Sequence, residues 1–193
     1  MSDSSFDPGP EEFAALRATI RERGSLRVVL FVATIGLWSA LVVATAAALT
    51  LPVASLIPLV VLAGGFEAVA SLHIGVERIG RYIQVRYEWD APGAAGVPIR
   101  WERAAMAWGR RFPGTGTDPL FGVIFYLATA LNFVPVALTG VAPELAVLAL
   151  AHLLFAARVW RVRAWAARQR DEDLRRYQQL LTAEGAERAG SPG

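Results

Sequence analysis

Long stretches without charge alternate along this chain with shorter ones crowded with arginine. Residues 28–66 carry no charged side chain, almost twice the ~20 residues that one membrane-crossing helix needs. That run predicts two helices and a turn. The turn falls near Pro52 or Pro58, because proline is accepted in the first turn of a helix and breaks its interior. The first span is expected at 28–50 and the second at 53–77, with its start at either proline. A second uncharged run beginning at Pro119 supplies a third span at 119–140 and a tight turn. The fourth, 143–163, crosses only if Arg158 extends its guanidinium toward headgroups and Trp160 and Trp165 mark the interface.

The flanks carry a different period. Gly24 followed by Ser25 reads as a helix stop and a new N-cap, so a short amphipathic helix with Phe13, Leu16 and Ile20 on one face is expected before the first span. Between spans two and three, turn residues at 90–93 and 113–116 bracket one short helix. Trp101, Ala105, Trp108 and Phe112 line one side of it, and Arg100, Arg103, Arg110 and Arg111 avoid that stripe. An aromatic stripe opposed by arginines is the pattern of a helix lying in the headgroup plane; the alternative is packing onto the protein's own helix ends. Beyond the fourth span a polar helix is expected, with Asp171–Arg175 and Glu172–Arg176 as i,i+4 pairs. It is either a solvated helix or one that binds a partner through Leu174, Tyr177 and Leu181.

Composition agrees with a bilayer as the solvent. Hydrophobic residues make up 54% and charged residues 19% of 193, and the mean hydropathy is +0.40, whereas soluble domains carry about 25% charge. With no cysteine, disulfides, iron–sulfur clusters and thiolate zinc sites are excluded. The first apolar run begins too late and runs too long for a signal peptide, so the Met1 end is expected to be retained.

Every basic residue is arginine, and the 19 of them lie in three blocks: up to Arg27, from Arg78 to Arg111, and from Arg158 onward. The two opposite turns have none. This positive-inside bias makes those blocks cytoplasmic and leaves both termini there. Basicity then calls for no nucleic-acid partner, and it favours anionic lipid headgroups.

Polar groups within the spans are the candidates for chemistry, because each is expensive to insert. They are Glu67, Ser71, His73 and Glu77 in the second span, Asn132 in the third, and His152 and Arg158 in the fourth. Helical phase places Glu67 beside a small-residue stripe of Gly64, Ala68, Ser71 and Gly75, so it is expected to face the bundle interior. There it is either protonated or paired with His152, Asn132, Arg158 or its own copy. His73 and Glu77 form an i,i+4 pair on another face, near the cytoplasmic interface. Ser39, Ser55 and Ser71 lie in or near spans, where a hydroxyl ordinarily bonds the preceding helical turn.

Three functional expectations follow. The first is a non-enzymatic membrane component, a complex subunit or self-associating scaffold that presents arginine-rich cytoplasmic helices. Small-residue stripes, including Ala40, Ala44 and Ala48, point to a homo-oligomer or a larger complex. The second is a small proton or ion conductor whose relay uses Glu67 and His152. The third is a haem b protein gripping iron between His73 and His152, which phase opposes. No metalloprotease, nucleophile-elbow or phosphate-loop motif occurs, so no catalytic residue, metal or obligatory cofactor is expected.

The expected architecture is therefore an all-α, four-span transmembrane helical bundle with extended cytoplasmic helices and one interfacial amphipathic helix. Residues 1–27 form a cytoplasmic amphipathic segment, 28–183 the transmembrane domain with its extensions, and 184–193 a disordered tail.

Overall fold

A computed structural model describes residues 10–48, 51–87, 101–112, 118–139 and 141–190. Among these there are five α-helices and no strand: α1 (Pro10–Ala48), α2 (Leu56–Arg86), α3 (Trp101–Arg111), α4 (Gly122–Thr139) and α5 (Ala142–Gly190), with a 3₁₀ turn at Pro52–Ser55. By length and composition α1, α2 and α5 can each cross a bilayer, and α4 is a shorter apolar helix. The turns expected at 90–93 and 113–116 lie outside the described residues.

Two boundaries differ from the sequence reading. Helix α1 runs without a break through Gly24 and Ser25. A glycine inside a helix costs only ~1 kcal/mol relative to alanine, which the long apolar segment that follows outweighs. Helix α5 likewise continues through 184–190 of the expected disordered tail, reaching Gly190; residues 191–193 of that tail lie outside the described residues. The choice between Pro52 and Pro58 resolves into both: Pro52 opens the 3₁₀ turn, and Pro58 sits in the first turn of α2.

The chain divides into two compact units, to each of which α1, α2 and α5 contribute residues. One comprises Ser25–His73 and Asp118–Ala166. Its apolar core joins Leu59, Leu62, Phe66 and Ala70 of α2 to Phe125 and Ala128 of α4 and Phe155, Val159 and Val162 of α5. Phe66, Phe125 and Phe155 meet edge to face, with centroids 5.2–6.4 Å apart, the arrangement their quadrupoles favour. Helix α1 adds Phe31, stacked on Phe121 at 4.1 Å.

The N-terminus of α4 is fixed by Asp118. Its carboxylate accepts from the backbone N–H of Leu120 and, at longer range, of Val123, satisfying donors that a helix start leaves open. Phe121 adopts a positive φ of 51° in this corner. Arg163 reaches the same carboxylate at 3.5 Å, and its side chain fills the space where a Cβ on Gly122 would stand.

This unit is apolar outside as well as inside. Val29, Val43, Val60, Leu138, Val147 and Leu153 are all more than 60% exposed. A soluble surface of that composition would expose contiguous apolar area of the kind that marks a binding or lipid-facing surface. Only 11% of the apolar window of α1 is buried, against 39% for α2, so α1 packs by one narrow edge.

The second unit comprises Met1–Gly24, Ile74–Thr117 and Ala167–Gly193. Ile83 and Val85 are buried in it, but so are Arg81, Gln84, Glu102, Gln169 and Asp173. Buried charge persists only when paired, so this unit is held by ion pairs to a degree that the first is not.

Candidate functional site

Glu67 projects from the middle of α2 and is met by Arg158 of α5. Arg158 donates from Nε to Oε1 at 2.7 Å and from NH2 to Oε2 at 2.9 Å. This is the planar two-point match of guanidinium to carboxylate. The side chains are 48% and 54% exposed, so Glu67 does not face the bundle interior as its phase suggested. The inward face of α2 belongs to the bulkier Leu62, Phe66 and Val69. Part of the small-residue stripe is turned outward with Glu67: Gly64 and Ser71 are exposed, whereas Ala68 and Gly75 are half-buried.

Asn132 and His152 form a separate, buried cluster. Asn132 Nδ2 donates to the Ser55 carbonyl at 2.9 Å and contacts His152 Nε2 at 3.0 Å. His152 Nδ1 lies 2.7 Å from the Leu148 carbonyl oxygen. A carbonyl only accepts, so Nδ1 carries the proton and Nε2 accepts from Asn132. Both ring nitrogens are thus engaged by protein groups. Beside the cluster lies a cavity of about 70 Å³ lined by Thr45, Ser55, Asn132 and apolar neighbours. The hydroxyl of Ser39 donates to the Ile35 carbonyl, as in-span hydroxyls commonly do.

His73 is buried and takes its partner from α1: its Nδ1 lies 3.0 Å from Arg27 NH1. Since an arginine N–H can only donate, Nδ1 is the accepting nitrogen and the imidazole is neutral there. Glu77 is bound by Arg170 of α5, whose Nε lies 2.9 Å from Oε2.

Ion pairs tie together the polar unit. Glu102 of α3 is the hub. It accepts from Arg17 of α1 at 2.6 Å and faces Arg81 of α2 at 3.8 Å. Gly80 leaves room for that carboxylate, since a Cβ there would lie 3.1 Å from its Oε2. Arg81 also donates to Gln84. Asp173 gathers Gln169, Arg78 and Arg176. Of the two pairs expected along α5, Glu172–Arg176 is formed, and Arg175 turns to the Asp171 backbone carbonyl.

Tyrosines pack at the ends of α1, α2 and α5. Tyr82 donates to Glu12 at 3.0 Å and lies edge-on to Tyr177. Burial, followed by the hydrogen bond to Glu12, raises the Tyr82 hydroxyl above its ordinary range. The same two causes push Tyr87 to about 12. Tyr177, which one of the two readings of this helix put on a partner-binding stripe, packs against Tyr82 within its own unit.

On α3 the aromatic stripe is exposed: Trp101 by 69%, Trp108 by 59% and Phe112 by 44%. Glu102, on the other side, is buried. Arg103 is half-buried, and of Arg110 only the backbone is described. Trp160 and Trp165 on α5 are exposed.

Compared with protein-family models, curated proteins and solved structures, the chain finds no match.

Its function has to be read from these clusters alone. Glu67 is held by Arg158 and His152 by Asn132 and Leu148, so the two members of the expected relay are bound to different partners. Likewise, His73 faces Arg27 and His152 has both nitrogens engaged, which is not the donor set of two free imidazoles that haem requires. Among the described residues no group of three or more His, Asp or Glu side chains is placed to hold a metal ion. Sequence reasoning missed Glu102, Arg81, Gln169 and Asp173. The spacings Gln169–Asp173, Asp173–Arg176 and Glu77–Arg81 were a signal available for three of them; Glu102, whose partners Arg17 and Arg81 are distant in sequence, offered none.

Proposed function

We propose that this chain is a non-enzymatic, multi-pass membrane component that presents an ordered, arginine-rich helical platform to a partner. The observation that carries this reading is the ion-paired unit built on Glu102, Arg81, Glu77 and Asp173. It fixes charged helix ends in one arrangement while the in-span polar groups are engaged in fixed pairs. A chain that needed its arginines only for orientation would not need them organised.

Four crossings fit the dimensions. The 18 residues of α4 reach about 27 Å at 1.5 Å per residue, close to the ~30 Å hydrocarbon thickness. With α1, α2 and α5, the chain then crosses four times and returns both termini to the arginine-bearing, cytoplasmic side. Helix α3, pinned by Glu102 on one face and bearing Trp101, Trp108 and Phe112 on the other, lies in the plane of the anionic headgroups.

The test is a photo-crosslinking amino acid placed singly at Gln179 and Thr182, both exposed on α5, in native membranes. A discrete adduct, with another protein or a second copy, is expected. Irradiation that yields only unmodified monomer at both positions overturns the proposal.

A further inference from the structure

The Glu67–Arg158 pair is half exposed. Arg158 stands about 24 Å along α5 from its start at Ala142, and Glu67 stands about 24 Å along α2 counting the preceding 3₁₀ turn, at 1.5 and 2.0 Å rise per residue. On the membrane-spanning reading proposed above, that depth is inside the ~30 Å hydrocarbon layer. The pair uses two of the five guanidinium N–H donors. Facing lipid, the remaining donors and carboxylate lone pairs would stand in hydrocarbon or have to reach about 6 Å to the headgroups, and polar groups left in hydrocarbon are costly.

We infer that the α2–α5 face bearing Glu67 and Arg158 docks a second copy of this chain across a two-fold axis along the bilayer normal. Charge arrangement selects that occupant. The two groups bond each other, so they lie at one depth, side by side, one anionic and one cationic. Copies of a membrane protein share one orientation, so a two-fold axis between them runs along the normal and preserves depth. That rotation places the second copy's Arg158 opposite this Glu67, and its Glu67 opposite this Arg158. The outcome is a four-membered ring of alternating charge that supplies the unused donors and acceptors. Close approach is sterically open: Gly64 and Ser71, on the same face of α2 as Glu67, are small and exposed, and a Cβ built on Gly64 meets nothing within 4 Å.

The experiment exploits the geometry. Two differently tagged copies are co-expressed, solubilised in mild detergent and purified through one tag. The double variant Glu67→Arg with Arg158→Glu keeps its internal pair but reverses the face. Wild type with wild type, and reversed with reversed, are expected to co-purify. The mixed combination brings like charges together and should fall at least about tenfold. Because the reversed protein must still associate with itself, misfolding cannot imitate the expected pattern. Equal recovery of all three combinations overturns the inference, as does a wild-type monomer, or wild type that captures a different membrane protein or only lipid and no second copy. A monomer that still yields an adduct from Gln179 overturns this inference and leaves the proposed function standing. Loss of that adduct with the tagged copies still associating has the opposite meaning.

Discussion

Thr34 of α1 occupies the place where a Cβ on Gly65 of α2 would stand: the three nearest Thr34 atoms would lie 2.1–2.7 Å from it. The two helices therefore touch backbone to side chain at this point. Helix α1 is mostly unburied, and this contact joins those of Phe31, Ile35 and Trp38 with the core. Gly65→Ala is expected to destabilise the protein by about 1–3 kcal/mol, the cost of an overpacked contact. Gly64→Ala, one residue away with nothing within 4 Å in the same copy, should cost less than Gly65→Ala. Unfolding in mild detergent followed by circular dichroism separates the two.

Glu102 holds α3 through Arg17 and Arg81, and the Arg81 side chain is only 7% exposed. Removing one partner of a buried pair leaves the other charge uncompensated, typically at about 3–5 kcal/mol; the partial exposure of Arg17, 29%, puts this site at the lower end. Glu102→Gln should release α3 and leave the apolar unit intact. Limited trypsin treatment reads this directly, because Arg103 and Arg111 lie on that helix. Cleavage there should become several-fold faster while cleavage after Arg163, which lies in the apolar unit and pairs with Asp118, is unchanged.

How much of this was legible in the sequence depends on whether the deciding contact was local. The apolar runs forecast α1, α2, α4 and α5 because hydrophobic length is a property of consecutive residues. The spacing of Trp101, Trp108 and Phe112 marked one aromatic face of α3 for the same reason, but left open whether that face packs on the protein or stands exposed, as it does. The orientation of Glu67 was not legible. Small residues suggested the inward face, but Phe66 and Leu62 claim it by packing on Phe125 and Phe155, which come from other helices. Arg158 was one of four candidate partners, and only the placement of α5 against α2 selects it. Glu102 was invisible because its partners, Arg17 and Arg81, lie far off in sequence. Gly24 and Ser25 misled through their local propensity, which the continuity of a long helix overrides.

Alkaline conditions should loosen the polar unit first. Burial and the contact with Glu12 raise the Tyr82 and Tyr87 hydroxyls, the latter to about 12. A raised folded-state value means that the stabilisation is fully present below the ordinary tyrosine value of 10 and is lost as pH rises through about 12. Tyrosinate absorbance should therefore appear late, in step with loss of the Tyr82–Glu12 contact. Tyr87→Phe should remove part of that alkaline transition. Titration that completes near pH 10 with the helices unchanged would contradict this.

Asn132 links three elements through one amide: the 3₁₀ turn at Ser55, α4 itself and His152 of α5. Asn132→Ala leaves the Ser55 carbonyl and His152 Nε2 without their donor in an apolar setting. Hydrogen bonds between membrane helices are worth about 0.6–1.7 kcal/mol each, so a loss of about 1–3 kcal/mol is expected. His152→Phe keeps the ring volume, which packs against Phe133 at 5.1 Å, but removes one acceptor and the donor to Leu148; it should cost less than Asn132→Ala, since Asn132 retains Ser55. That order, measured as unfolding free energies in the same detergent, identifies Asn132 as the hub. It also separates a structural cluster from a conducting one. If reconstituted vesicles show proton flux that His152→Phe abolishes while stability barely moves, the imidazole carries protons; on the geometry found, stability changes and no such flux is lost.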